Sequence, residues 1–247
     1  MISVAILTKN CAETLGATLE SCRSFPEVLI LDTGSTDETL QIAQTYPNVR
    51  IAKQPFEGFG PSKNRAAELA SHPWILSIDS DEVLSEELIR EIQALSLNPK
   101  QLYTLARCNH FRGKWIRCCS GWYPDHIARL YHRQSTHFSP DYVHEKVVGE
   151  GLEPIALKGK LLHTPYRSIE SFLTKMQIYS TLFAEQYAGK KKSSLFIAVG
   201  HALAAFLKNY ILKWGFLGGK EGLIISFYNA QCTYYKYLKL AWRNNSL

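Results

Sequence analysis

The 247-residue chain has no Cys-x-x-Cys pair, although it holds six cysteines. Their spacing gives no regular framework, and the adjacent Cys118-Cys119 pair is poorly placed for a disulfide. They read as reduced thiols of a cytosolic protein rather than as a secreted disulfide scaffold or a zinc cluster. Internal repeats are missing, and the one low-complexity stretch is Lys190-Lys191-Lys192. The chain opens directly on a strand-like Ile2–Leu7, with no basic segment and long apolar stretch ahead of it, so no signal peptide is expected. The longest uncharged stretches, Ser193–Leu207 and Gly222–Tyr235, fall short of the ~20 residues of a membrane-spanning helix. Acid is scarce at the C-terminal end: from Lys190 onward nine basic residues face a single acid, Glu221. The preceding residues carry 19 basic and 21 acidic side chains, so the net charge of +6 belongs to the tail alone. That distribution argues against a nucleic-acid-binding main domain and for a tail that faces an anionic surface.

What the chain does have is an apolar run, Trp74-Ile75-Leu76-Ser77-Ile78, that stops abruptly at Asp79-Ser80-Asp81-Glu82. The run reads as a buried strand. Carboxylates crowded at its end repel one another and are costly to desolvate, so a cation is expected among them. Oxygen ligands at this spacing suit Mg²⁺ or Mn²⁺, which would also hold a phosphate. Upstream, strand patterns at Ile2–Leu7, Val28–Leu31 and Val49–Ala52 alternate with helical ones at Thr14–Arg23, from Thr36 or Asp37 to about Thr45, and from Ser62 to Ala70 after a Gly58–Pro61 loop. Alternation of this kind predicts an α/β fold with a doubly wound, mostly parallel sheet. Ligands of such sheets bind at the carboxyl ends of the strands. Thr8-Lys9-Asn10, Asp32 and Asp79–Glu82 all fall there. Further strands are expected at Leu102–Cys108, Ile127–His132 and Val143–Val148, and helices from Ile169 onward.

Taken together, Thr8-Lys9-Asn10 with Glu13, Leu31-Asp32-Thr33-Gly34-Ser35-Thr36-Asp37 and Asp79-Ser80-Asp81 resemble the inverting glycosyltransferases of family 2, with the GT-A fold. Gly58-Phe59-Gly60 with Lys63-Asn64, Gly121-Trp122-Tyr123-Pro124-Asp125 with Arg129-Leu130, Val143-His144-Glu145 and the tail pattern Gly215-Phe216-Leu217 and Gly219-Lys220-Glu221-Gly222 resemble one branch, bacterial lipopolysaccharide-core enzymes that add a β-linked glucose to a heptose. The resemblance implies a GT-A catalytic domain over 1–165 (nucleotide half about 1–100, acceptor half about 101–165) and a helical, basic extension over 166–247. It implies a UDP-sugar donor, a lipid-linked saccharide acceptor, and a cytoplasmic enzyme peripheral on the inner membrane.

The resemblance also distributes roles, each beside a plainer reading. Asp32 would accept a hydrogen bond from uracil, or serve an Asx turn; Thr8, Asn10 and Glu13 would line the same nucleotide pocket. Asp79 would contact the ribose and the metal shell, and Asp81 would bind the metal directly. Glu86 and Glu87 are better read as a helix start. Lys63, Asn64 and Arg65 would meet phosphate or nucleotide, or form a solvated basic turn. Asp125 matches the place of the general base, with Glu145 as the alternate. His144 would complete the metal shell or act as a structural donor, and Trp122 and Tyr123 would stack on a sugar or sit in the core. Lysines and aromatics around the tail's uncharged runs suit helices lying on an anionic membrane, against a helical cap packed on the domain. Two other functions compete: a haloacid-dehalogenase-type phosphatase with its nucleophile in Asp79-Ser80-Asp81, and a non-catalytic membrane adaptor on a transferase fold.

Overall fold

The computed structural model of the chain describes residues 1–142, 145–166 and 168–245. In chain order its first half runs β1 (Ile2–Thr8), α1 (Ala12–Ser21), β2 (Glu27–Asp32), α2 (Thr39–Gln44), β3 (Val49–Lys53), α3 (Phe59–Leu69), β4 (Trp74–Asp79), β5 (Glu82–Leu84) and α4 (Glu86–Gln93). Then follow β6 (Gln101–Phe111), β7 (Lys114–Trp115), β8 (His126–His132), β9 (Glu153–Tyr166), α5 (Ile169–Tyr187), α6 (Leu195–Leu207) and α7 (Gly219–Arg243). A π-helical turn (Lys208–Leu212) and a 3-10 turn (Gly215–Gly218) join α6 to α7.

The described strands form one mixed sheet in the order β3-β2-β1-β4-β8-β6-β9-β5, with β7 paired to β6. The first four strands are mutually parallel, and from β8 onward the pairing seen is antiparallel. Parallel strands need both faces covered, and the side-chain period of two supplies both. Val4, Ile6, Val28, Ile30, Leu76 and Ile78 point to one face, where Leu15 and Leu19 of α1 and Leu88 and Ile92 of α4 complete a core. Ala5, Leu29, Leu31 and Ile75 point to the other, against Ala66 and Ala67 of α3. Register aligns the strand ends, pairing Thr8 with Asp32 and Leu7 with Asp79. The residues just beyond the parallel strands therefore gather along one edge.

Several elements differ from the sequence expectation. Gly58–Pro61 is not a free loop: α3 begins at Phe59, so Gly60 and Pro61 belong to its first turn. Proline is tolerated there because a first-turn N–H has no helical acceptor. Gly60 is required by contact, since a Cβ on it would lie 2.0 Å from the Ser139 carbonyl oxygen. The expected strand Val143–Val148 is reduced to one bridge, Phe138 with Val147, its first two residues lying outside those described. Strands β5, β7 and β9 were not anticipated. The apolar tail segment also extends past the uncharged run that ends at Leu207, because the helical path continues through the π turn and takes in a single charge, Lys208. Leu195–Leu212 is long and apolar enough, by length and composition, to cross a membrane.

The chain forms two compact units, one of Met1–Arg107 with His126–His163, the other of Cys108–Asp125 with Thr164–Leu247. Cys108–Asp125 thus groups with the C-terminal helices, whereas the expected catalytic domain over 1–165 had included it. That second unit has its own core, in which Phe111, Ile116, Trp122, Phe172, Ile225 and Tyr228 are buried together.

Candidate active site

At the carboxyl edge of the first unit, the ends of β1 and β2 are stitched into one polar platform. Thr8 Oγ1 donates to Asp32 Oδ1 at 3.1 Å, and the backbone N–H groups of Gly34 and Ser35 donate to Asp32 Oδ2 at 3.1 Å each. The Ser35 hydroxyl donates to Asp32 as well. Burial pushes the Asp32 carboxyl up, but the donors from Ser35, Gly34 and Thr8 outweigh it and hold it below its ordinary value. Asp32 is thus an Asx-turn acceptor held ionised. Asn10, at φ 50°, accepts from the Thr36 N–H at 2.8 Å, and its own N–H donates to Ser35 Oγ at 3.0 Å. Asp37 accepts from Ala12 N at 3.1 Å, at the first turn of α1, where Glu13 is exposed. The two loops support each other, and only Asn10 and Glu13 of the four expected nucleotide contacts reach the surface; Thr8 and Asp32 are buried.

The acidic cluster beside this platform is matched by protein cations. Asp79 Oδ1 lies 2.8 Å from Lys63 Nζ, and its Oδ2 accepts from Arg129 at 2.8 Å. Lys63 also pairs with Glu145 Oε1 at 2.8 Å. Glu82 is fully buried; Arg107 donates to it at 2.9 Å, and Arg129 lies 3.6 Å away. Its other oxygen accepts from the Asp79 backbone N–H at 2.8 Å. Burial disfavours the charged form of Asp79, but Arg129 and Lys63 overcome it and hold the carboxyl well below the usual range. The cations expected among these acids are therefore, for Asp79 and Glu82, Lys63, Arg107 and Arg129. The paired charges fix the lattice because removing one partner would strand the other in a poorly hydrated place.

Asp81 has different company. Its Oδ2 lies 3.5 Å from Nε2 of His163, which β9 presents opposite Glu82 of β5. No group of three or more His, Cys, Asp or Glu side chains suited to a metal ion occurs among the described residues. His144 lies outside those residues. Asp81 fits an ion that completes its shell from a substrate, since Mg²⁺-type sites commonly take one or two carboxylates plus phosphate oxygens, and the His163 imidazole would suit Mn²⁺ better than Mg²⁺. Asn64 is committed elsewhere: its amide donates to the Phe138 carbonyl at 2.9 Å and accepts from the Phe138 N–H at 2.8 Å. Arg65 is exposed and pairs with Glu68 at 3.0 Å.

In the second unit Asp125 is half-buried and accepts from Asn109 Nδ2 at 2.8 Å; the same amide donates to the Trp122 carbonyl at 2.9 Å. Trp122 is core, whereas Tyr123 is exposed and meets Trp115 edge-on at 6.3 Å. Arg117 lies over the Trp115 ring at 4.0 Å. Of the two aromatics expected at a sugar, Tyr123 alone is accessible.

A family model for glycosyl transferase family 2 matches residues 3–136, which contain the Thr8–Asp32 platform and the whole Asp79–Glu82 cluster. The chain belongs to this family. It is a glycosyltransferase, and the phosphatase reading of Asp79-Ser80-Asp81 falls with that match. Among curated relatives, the lipopolysaccharide core biosynthesis glycosyltransferase LpsC of Rhizobium meliloti is 28% identical over 257 residues, covering 96% of this chain and 93% of LpsC. An uncharacterised glycosyltransferase of Rickettsia prowazekii is 27% identical over 253 residues, covering 97% of this chain and 86% of its own. The solved structure of S. aureus TarS in complex with UDP-GlcNAc aligns at 15% identity and a TM-score of 0.49, over 98% of this chain and 89% of that one.

For this glycosyltransferase, the sequence reading missed Arg107 and His163 and the pairing of Arg129 with Asp79, and it placed Glu82 in the acidic cluster without its arginine partners. A signal existed for the two arginines. Each interrupts a locally apolar stretch, Leu105-Ala106 and Cys108 around Arg107 and Ile127-Ala128 and Leu130-Tyr131 around Arg129, and a guanidinium there calls for an acid partner. His163 had none, because its place depends on β9 pairing with β5, far apart in sequence.

Proposed function

We propose that the chain is an inverting, divalent-metal-dependent transferase that moves a hexose from a UDP-sugar to a lipid-linked acceptor sugar. Glucose as the hexose and an inner-core heptose as the acceptor follow from the branch resemblance, and the identity to LpsC supports lipopolysaccharide core as the setting. The observation that carries the reading is the Asp81 carboxylate beside the His163 imidazole at 3.5 Å, on the strand-end edge that also holds Asp32. The carboxylate is a ligand type for Mg²⁺ or Mn²⁺ shared with a diphosphate, and the imidazole beside it favours Mn²⁺ over the oxygen-demanding Mg²⁺. When bound, the ion neutralises charge that develops on the departing UDP. Asn10 and Glu13 would contact the nucleotide from the platform that Asp32 organises. Lys63 and Arg129 hold Asp79 in position toward the ribose.

Asp125 is the base in this reading, oriented by Asn109. It takes the proton of the acceptor hydroxyl, whose oxygen bonds to the anomeric carbon as the bond from that carbon to the diphosphate breaks; UDP leaves and the anomeric configuration inverts. Glu145 is the alternate, but it would first have to leave its pair with Lys63. In this reading the enzyme works at the cytoplasmic face of the membrane, where a lipid-linked acceptor would meet the UDP-sugar.

The deciding experiment is calorimetric titration of UDP in the presence of Mn²⁺. Asp81→Ala and His163→Ala should each lose binding, as should chelator-treated wild type. Undiminished binding in all three would remove the metal from the reading. Asp125→Asn should keep the donor affinity while turnover falls ~10²–10⁴-fold, the usual worth of a general base.

A further inference from the structure

The second unit carries an apolar surface that its own fold leaves uncovered. Along α6, Ala198, Ala202, Ala205 and Asn209 recur at helical spacing on the inward side, buried or half-buried, and α6 packs on α7. The opposite stripe is large and apolar: Phe196 is 87% exposed, Leu203 61% and Leu207 52%. The surface continues past the helix into Leu212 at 70% and Leu217 at 71%. A helix apolar all round is normally covered on every side, and patches of this extent on a soluble surface mark a docking site.

The rim of the patch identifies the occupant. Exposed Lys190, Lys191 and Lys192 precede α6, and exposed Lys208, Lys213 and Lys220 follow it. Each end also carries an exposed tryptophan. Trp214 is 60% exposed beside Lys213, and Trp242 is 73% exposed beside Arg243. The end of α7 is fastened to the lysine run through Asn244, which accepts from Gly189 N at 3.0 Å and donates to the Lys191 carbonyl at 2.8 Å. Lysine and tryptophan around an apolar centre match the headgroup layer of an anionic bilayer, where ammonium groups meet phosphate and indole rings sit at the interface.

Length alone would let this segment cross the bilayer, but its fastenings argue otherwise. At one end Ser193 Oγ donates to the Tyr237 carbonyl of α7 at 2.7 Å. At the other, Asn209 Oδ1 accepts from Ser120 N at 2.8 Å, and the Lys213 carbonyl accepts from Cys119 N at 2.9 Å. Close by in α7, Glu221 pairs with Lys114 at 3.1 Å and Arg112 at 3.9 Å. Passing α6 through a membrane would pull these charged groups into or across it. We propose that α6 and the turns up to Gly218 lie flat on an anionic phospholipid bilayer, with Phe196, Leu203, Leu207, Leu212 and Leu217 in the acyl layer and the lysines at the headgroups. This deepens the membrane-face element of the proposed function but does not depend on its donor chemistry, so failure of the UDP titration would leave it standing, and the reverse.

The test is cosedimentation of the intact chain with phosphatidylcholine vesicles with and without phosphatidylglycerol. Wild type should bind the anionic vesicles and be released by alkaline carbonate. Leu203→Glu with Leu207→Glu should lower partitioning at least ~tenfold, because charge in the acyl region is strongly disfavoured. Lys190→Ala with Lys191→Ala and Lys192→Ala should weaken binding to anionic vesicles only, as should raised salt. Since all these side chains are exposed, the variants should melt as wild type does. Resistance to carbonate extraction would overturn the flat placement in favour of a span. No vesicle binding, with a wild-type dimer that Leu203→Glu makes monomeric, would assign the surface to a second copy and end the proposal.

Discussion

Asp79 and Asp81 are separated by one serine, and their neighbours give them different work. Asp79 is caged between Lys63 and Arg129 at 2.8 Å each, whereas Asp81 faces His163 at 3.5 Å. Asp79→Asn should therefore cost folding stability, about 2–4 kcal/mol once partial exposure of the carboxylate is allowed for, by leaving two buried cations short of an acid. Asp81→Asn should cost UDP binding and little stability. Chemical denaturation beside calorimetry separates the two, and equal destabilisation by both would show that Asp81 belongs to the same lattice. Lys63→Met should behave like a milder Asp79→Asn, since it takes one cation from both Asp79 and Glu145 while Arg129 stays on Asp79. Wild-type stability in Lys63→Met, together with weakened UDP affinity, would mean that the lysine serves phosphate instead.

At the scale of elements, α3 shows how a close approach sets a boundary. Gly58, at φ 107°, turns the chain into the helix, and the N–H groups of Phe59 and Gly60 donate to the carbonyls of Tyr142 and Asp141 at 3.1 Å each. A Cβ on Gly60 would collide with the Ser139 carbonyl, so Gly60→Ala should destabilise by at least ~2 kcal/mol, in the range of overpacked sites, even though alanine favours helices. Urea unfolding measures it, and a neutral outcome would show that the 139–141 segment moves aside freely. The sequence marked Gly58-Phe59-Gly60-Pro61 as a loop because glycine and proline usually break helices. The backbone of a distant segment overrode that preference. The parallel elements β1, β2 and β4 were legible because their signal is local, an apolar run ending in polar residues. β9 was not, since its fourteen residues mix polar and apolar side chains and find their place only by pairing with other strands.

Across the whole molecule, the edge of the sheet opposite the candidate site has its own charged anchor. Glu27 at the start of β2 is buried and accepts from Ser3, from the Ser71 hydroxyl and N–H, and from Arg50. Burial raises its carboxyl, but these donors prevail and bring it from its ordinary 4.5 to about 2. A folded value below the unfolded one means stability that is present at neutral pH and lost as pH falls from 4.5 toward about 2, worth about 3 kcal/mol by proton linkage. Glu27→Gln should flatten that part of the acid-unfolding curve and lower stability at neutral pH; an unchanged curve would place the acid sensitivity elsewhere. By itself the sequence determined the parallel α/β half, its line of strand-end polar residues, the family and the basic tail, because apolar periodicity, short motifs and charge are written locally along the chain. Only the tertiary structure decided which acids meet Lys63, Arg107 and Arg129, that Asp81 meets His163, and which face of α6 is left bare. Those outcomes depend on contacts between segments remote in sequence, whose register no local pattern encodes.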